Sequence, residues 1–270
     1  MPTKSTTRNS RPLALHGWLD NSNSYVNLAA ALGSYCWVAL DLPGHGHSAH
    51  RGADAHYHMV DWVGDVMDAA EALGWSRFVL VGHSMGAAVA ALVAACYPEA
   101  VDKLVLLDGL GPLSREAAQG PAHLALHRRQ VSRLLARLPA AYPTLDAMVT
   151  TLCRVVPGLD RASATLLASR GSQRTERGYV NRCDRRLRAT SLFALTEAQV
   201  LAFLSSIECA ALLIRPTSGF AFGAEQIRTR CAAFNRLQVV EVPGHHHAHL
   251  VDAPQVAAPV AAFLRGPGAD

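Results

Sequence analysis

The sequence predicts an α/β fold: a doubly wound, mostly parallel sheet with a helical cap inserted between its two parts. Three observations carry that prediction. Residues 1–111 alternate short apolar runs with longer segments of helical period, the pattern of a parallel sheet covered on both faces. The alternation stops after Gly111 for about ninety residues and resumes near 210. Half of the 270 residues are hydrophobic and only 17% are charged, enough apolar surface for one large core and too much for a disordered chain.

Taken in order, LALHG at 13–17, CWVALD at 36–41, RFVLVGH at 77–83 and LVLLD at 104–108 are β-rich runs that end in turn chemistry. Between them, Ser24–Leu32, His58–Leu73 and Met85–Tyr97 have helical spacing, with Gly33, Gly74 and Pro98 placed where helices stop. Arg-rich segments broken at Pro139, Pro143 and Pro157 fill the interruption. AALLIR at 210–215 and LQVVEV at 237–242 then restore the strand pattern, with helices near 223–234 and 254–265. The expected organisation is a core of 1–111 and 206–270 with a cap of 112–205.

Composition excludes several classes. No apolar run reaches the about 18–20 residues of a membrane span, so no membrane partner is expected. The opening MPTKSTTRNSR lacks the apolar core of a secretory signal, which points to a cytoplasmic protein. The six cysteines contain no C-x-x-C pair, and free thiols are expected. Residues 111–205 carry fourteen Arg against six acids, whereas the remainder carries eleven basic and fifteen acidic residues. Without interleaved aromatics this basic middle reads as a solvated helical surface rather than a nucleic-acid site. Oligomeric state is not legible.

The chemistry concentrates in turns. Gly82-His83-Ser84-Met85-Gly86 follows a predicted strand and opens a predicted helix, the setting of a G-x-S-x-G nucleophile elbow. A serine there needs a base, an acid to orient the base, and N–H donors for the developing oxyanion. His16-Gly17-Trp18 closes the first strand, so the Trp18 N–H can pair with that of Met85 as an oxyanion hole. Gly244-His245-His246-His247-Ala248-His249 follows the last strand and offers several histidines as base. His83 reads as structural, Asp20 and Asn21 as braces of the oxyanion turn, and Met59, Trp62 and Met67 as core.

HGWLDN, DLPGHGHS, VGHSMGA, LLDGLGP and GHHHAHL, in this order, resemble an α/β-hydrolase of the serine hydrolase-like group, over about residues 12–265; the cap stretch DRRLRATSLFALTEAQVLAFL narrows the likeness. The resemblance implies the α/β-hydrolase fold, no cofactor or metal, and a small acyl substrate cleaved by carboxylesterase-like chemistry. It implies Ser84 as nucleophile and His246 as base. Members often place the acid in a G-x-x-D turn after the AALLIR strand, but Pro216-Thr217-Ser218-Gly219 offers none. Haloalkane dehalogenases take it from the strand after the nucleophile helix, where Asp108 stands here. Asp108 is therefore preferred over Glu225 and Asp252, against the alternative that it caps the turn Gly109–Gly111. Members also usually begin with two more strands, which are shortened or missing here.

Two other functions fit parts of the sequence. A non-catalytic ligand-binding protein on the same scaffold would account for the vacant acid position. A metal-dependent hydrolase is suggested by His45-x-His47-x-x-His50 together with His246, His247 and His249, although Ala49 stands where such a motif needs Asp.

Overall fold

The computed structural model describes residues 11–266. Ten residues at the start lie outside that range, and with them the expectation of shortened or missing N-terminal strands. Six strands form one sheet: β1 (Pro12–Leu15), β2 (Val38–Leu40), β3 (Phe78–His83), β4 (Val101–Leu107), β8 (Ala210–Ser218) and β9 (Leu237–His245). Their order is β2-β1-β3-β4-β8-β9, and every neighbouring pair is parallel. The predicted strands and the resumption after 210 are therefore present, each end within three residues of the expected one.

The period of two along each strand splits the core into two layers. Leu13, Leu15, Leu80, Leu104, Leu106 and Leu213 face one side, against α2 (Asp61–Ala72) and α3 (Met85–Cys96). Ala14, Val79, Val81, Val105, Leu212 and Ile214 face the other, against α1 (Val26–Ala31) and α10 (Ala253–Arg265). Central strands buried on both faces need no polar alternation, which is why they read as continuous apolar runs. The alanines of α3 let it lie close on the sheet. At its first turn a Cβ on Gly86 would sit 2.0 Å from the Leu15 carbonyl oxygen, so only glycine permits that approach.

The interruption contains α4 (Gly120–Leu135), β5 (Ala141–Tyr142), α5 (Leu145–Val155), α6 (Arg161–Gly171), β6 (Ser172–Thr175), β7 (Gly178–Asn181) and α7 (Glu197–Ser205). It differs from the all-helical expectation: β5, β7 and β6 pair antiparallel into a small second sheet. Val149, Leu159, Ala164 and Leu167 give α5 and α6 a small core of their own. Helix α7 packs instead on α3 and on α8 (Ala224–Ala233), beside the main sheet.

Arginines fasten these pieces together. Arg170 on α6 binds the buried Asp41 carboxylate, which also accepts the N–H groups of Ser22 and His47. Arg186 pairs with Asp184 and donates to the carbonyls of Arg51, Gly52 and Ala55. Fully buried Arg230 on α8 grips Glu197 on α7 and the Leu110 carbonyl. The solvated-surface reading of the Arg-rich middle thus needs correction at Arg170 and Arg186, which act as ties between cap and core. All six cysteines are free thiols. No helix among the described residues is long and apolar enough to cross a membrane.

Candidate active site

The carboxyl ends of three parallel strands of the sheet deliver the candidate groups to one place, as open parallel sheets do. Ser84 follows β3, Asp108 follows β4, and His246 follows β9. Three non-glycine residues among those described have positive φ, namely Leu19 at 62°, Ser84 at 54° and Asp108 at 46°, and each lies in a turn at this end of the sheet. Such backbone is costly for L-residues and persists where the surroundings enforce it. At the elbow that enforcement is tight. A Cβ on Gly82 would lie 2.3 Å from the Gly86 oxygen, and one on Gly109 2.7 Å from the Ser84 oxygen.

Asp108 and His246 meet. The His246 Nδ1 lies 2.5 Å from Asp108 Oδ2, and the same oxygen accepts the Phe220 N–H at 2.7 Å. A carboxylate is acceptor only, so Nδ1 carries the proton and the Nε2 lone pair remains for another partner. The turn after β8 explains the missing acid there. A Cβ on Gly219 would sit 2.5 Å from both Asp108 carboxylate oxygens, so the Asp108 side chain occupies the space beside that turn. Glu225 is exposed and paired with Arg228, and Asp252 accepts from Gln255.

The other histidines of the loop go elsewhere. The ring of His245 packs over Gly158 between α5 and α6, where a Cβ would collide with it. His249 is buried against the Ser24 hydroxyl at 2.8 Å, and burial together with neighbouring His247 pushes its pKa down to about 3. His247 places Nε2 3.1 Å from Asp20 Oδ2. Burial opposes the charged form of His247, but the Asp20 carboxylate outweighs it and raises the pKa.

His83 is fully buried, and its Nε2 donates to the His246 carbonyl at 2.9 Å, which anchors the histidine loop to the elbow. Burial, reinforced by His249, His246 and His247, holds its pKa well below the ordinary value. Asp20 closes the turn after β1 by donating its N–H to the Gly17 carbonyl, and Asn21 accepts the Asn23 N–H while its amide reaches Leu167 on α6. The side-chain bracing expected of these two is present at Asn21, whereas the Asp20 carboxylate turns to His247 and only its backbone N–H closes the turn.

A cavity of about 620 Å³ contains Ser84, Asp108 and His246 in its wall, with Trp18 and Met85 beside them. The Met85 N–H stands in the first turn of α3, where helix donors have no intrahelical partner. The Trp18 indole donates to the Leu187 carbonyl, fixing the turn after β1 to the inserted segment. Leu113, Val155, Val156, Phe220 and Phe222 are among its apolar lining residues, and His127, Arg186 and Arg188 line it from the inserted segment. Met59 and Trp62 also line it, which corrects their reading as core alone. Helical spacing reports only that a residue faces inward, and here the cavity wall continues the core.

The histidine motif at 45–50 forms no metal centre with the later histidines. His45 is buried edge-on to His16 at 4.8 Å, and His50 Nε2 bonds the Arg182 carbonyl. Among the described residues one group has metal-ligand spacing, Asp20, His83 and His247. Sequence spacing could not reveal it, because its members come from three separate segments of the chain.

Comparison with known proteins supplies the context. The family described as alpha/beta hydrolase fold matches residues 13–155. A serine hydrolase-like protein of Dictyostelium discoideum is 33% identical over 267 residues, covering 93% of this chain and 74% of that protein. The serine hydrolase-like protein of Mus musculus is 30% identical over 279 residues, covering 96% and 89%. The crystal structure of a hypothetical protein from Pseudomonas aeruginosa superposes with a TM-score of 0.88 at 38% identity, covering 95% of this chain and 91% of that one.

Proposed function

Because the chain belongs to the α/β-hydrolase family, in its serine hydrolase-like group, we propose that it is a serine hydrolase cleaving an ester or related acyl compound through an acyl-enzyme on Ser84. The observation that carries this reading is the meeting of the His246–Asp108 pair and the strained Ser84 elbow in one apolar cavity.

In the proposed cycle, Ser84 Oγ attacks the substrate carbonyl carbon as His246 Nε2 takes its proton. Asp108 holds the Nδ1–H tautomer that leaves Nε2 free and stabilises the imidazolium. The Trp18 and Met85 N–H groups hold the oxyanion of the tetrahedral intermediate. His246 then protonates the departing alcohol or thiol. A water enters, His246 accepts its proton, the acyl–oxygen bond to Ser84 breaks, and the acid leaves with the serine restored. A carboxylate nucleophile, as an ester-forming epoxide or halide hydrolase needs, is absent from position 84, so acyl transfer is the chemistry this elbow favours.

The cavity suits an acyl chain or aromatic group of modest size held by Phe220, Phe222, Leu113 and Val156. Hydrolysis of short p-nitrophenyl esters by wild type and Ser84→Ala is the test. The variant is expected to lose at least about 10³-fold in kcat with its fold intact. Equal rates in the two would overturn the reading and leave a binding protein on this scaffold.

A further inference from the structure

The His83 side chain is placed in a way the proposed acyl transfer does not use. Its Nε2 faces the His246 carbonyl, which can only accept, so Nε2 bears the proton and Nδ1 is a bare lone pair. That Nδ1 is buried with no hydrogen-bond partner and points toward the Asp20 carboxylate, 3.8 Å away. A lone pair facing a carboxylate oxygen in a buried site is repulsive unless something positive lies between them.

His247 completes the arrangement. Its Nε2 lies 3.1 Å from the same Asp20 oxygen, and the three ligand atoms fall within 4.8 Å of one another. A zinc ion at about 2.0–2.2 Å from tetrahedral nitrogen and oxygen ligands separates them by roughly 3.3 Å, between the two distances seen to Asp20. Space for the ion is kept by Gly17, where a Cβ would stand 2.9 Å from His83 Nδ1 and 3.3 Å from Asp20 Oδ2. Asp20, His83, His247 and Gly17 all border the cavity, so a fourth position is open to water from that side.

We propose that Asp20, His83 and His247 form a binding site for a divalent transition-metal ion of the zinc type, directly behind the His246 loop. Two imidazoles and one carboxylate with an open position are a donor set that suits zinc and cobalt and disfavours magnesium or calcium, which need mostly oxygen. Binding requires His247 Nε2 to give up the proton it shares with Asp20, which passes to Nδ1 or to solvent.

A consequence for catalysis rests on the acyl-transfer reading above. The His246 ring centroid lies 4.6 Å from that of His83 and 5.2 Å from that of His247. Seating an ion between those two rings moves them, and with them the His246 ring packed against both, so the loaded protein is an inhibited hydrolase.

The test begins with protein stripped by a chelator and dialysed. Calorimetric titration with Zn²⁺ is expected to give one ion per chain, and Co²⁺ is expected to give visible d–d bands without the near-ultraviolet band of a thiolate site. Asp20→Asn and His247→Gln, each checked for folding by near-ultraviolet circular dichroism, are expected to weaken Zn²⁺ binding by at least about 10-fold. No stoichiometric binding, a cysteine-type cobalt spectrum, or wild-type affinity in both folded variants would overturn the site. The cobalt spectrum decides even if both variants fail to fold. Ester turnover falling in step with Zn²⁺ occupancy supports the inhibitory role, and full turnover at full occupancy contradicts it. Zn²⁺ bound by a protein that hydrolyses no ester leaves the metal site standing and counts against the acyl-transfer reading.

Discussion

Gly219→Ala is a small change with a large expected effect. Gly219 does not have positive φ, so alanine is acceptable to the backbone there. The added Cβ, however, would sit 2.5 Å from both Asp108 carboxylate oxygens and 2.7 Å from Cγ, where ordinary contact begins near 3.4 Å. The carboxylate therefore has to retreat by about 1 Å, or the turn carrying Phe220 has to move by as much. Either movement stretches the 2.5 Å contact to His246 or the 2.7 Å contact from the Phe220 N–H. A displacement of that size in a catalytic constellation is worth roughly 10²-fold, about 2.7 kcal/mol of barrier. Overpacking by one methyl destabilises the fold by about 1–3 kcal/mol, which a large α/β domain can absorb. The assay is steady-state hydrolysis of a p-nitrophenyl ester with a parallel thermal melt. The variant is expected to remain folded at the assay temperature and to lose kcat with KM little changed. Wild-type kcat in a folded Gly219→Ala protein would refute the assignment of Asp108 as the orienting acid.

Two further outcomes follow from the same geometry and from the ties around it. Asp108→Asn keeps a residue tolerant of positive φ but turns an amide toward His246, favouring the wrong tautomer; kcat is expected to fall by roughly 10⁴, and an unchanged rate would move the acid elsewhere. Hydrogen bonds from buried Arg230, aided by Ser114 and Gln226, lower the Glu197 pKa to about 2 from 4.5. A depressed carboxylate pKa contributes stability above its unfolded value that is lost as pH falls through the folded value. The urea midpoint is therefore expected to drop between about pH 4.5 and pH 2, and Glu197→Gln to flatten that part of the profile. Part of the gain is screened, because the Glu197 side chain is 34% exposed.

The sheet was legible because its strands are apolar on both faces. Leu13–Leu15, Phe78–Val81 and Leu104–Leu107 have no polar residue to blur the run, and Gly82 and Gly86 mark the one junction where strand and helix must touch. The small second sheet was not legible. Its strands span two to four residues and include Gln173, Arg174 and Asn181, so they show neither alternation nor apolar length. Sequence could narrow the histidine loop to a set of neighbours but not rank them by contact. His245, His246, His247 and His249 diverge to Gly158, Asp108, Asp20 and Ser24, and only three-dimensional placement separates those partners. Gly219 shows the limit most plainly. As a letter it reads as a missing acid, whereas in space it is the room that the Asp108 carboxylate occupies.

The measurement that bears most directly on the whole account is labelling of the intact protein with a fluorophosphonate, followed by mass-spectrometric mapping of the modified peptide. That reagent reacts with a serine only when nucleophile, base and oxyanion donors act together. The expected result is one adduct, on Ser84, formed far more slowly in Asp108→Asn and not at all in Ser84→Ala. A folded wild-type protein that takes no label, or takes it on another residue, would contradict the account at its centre.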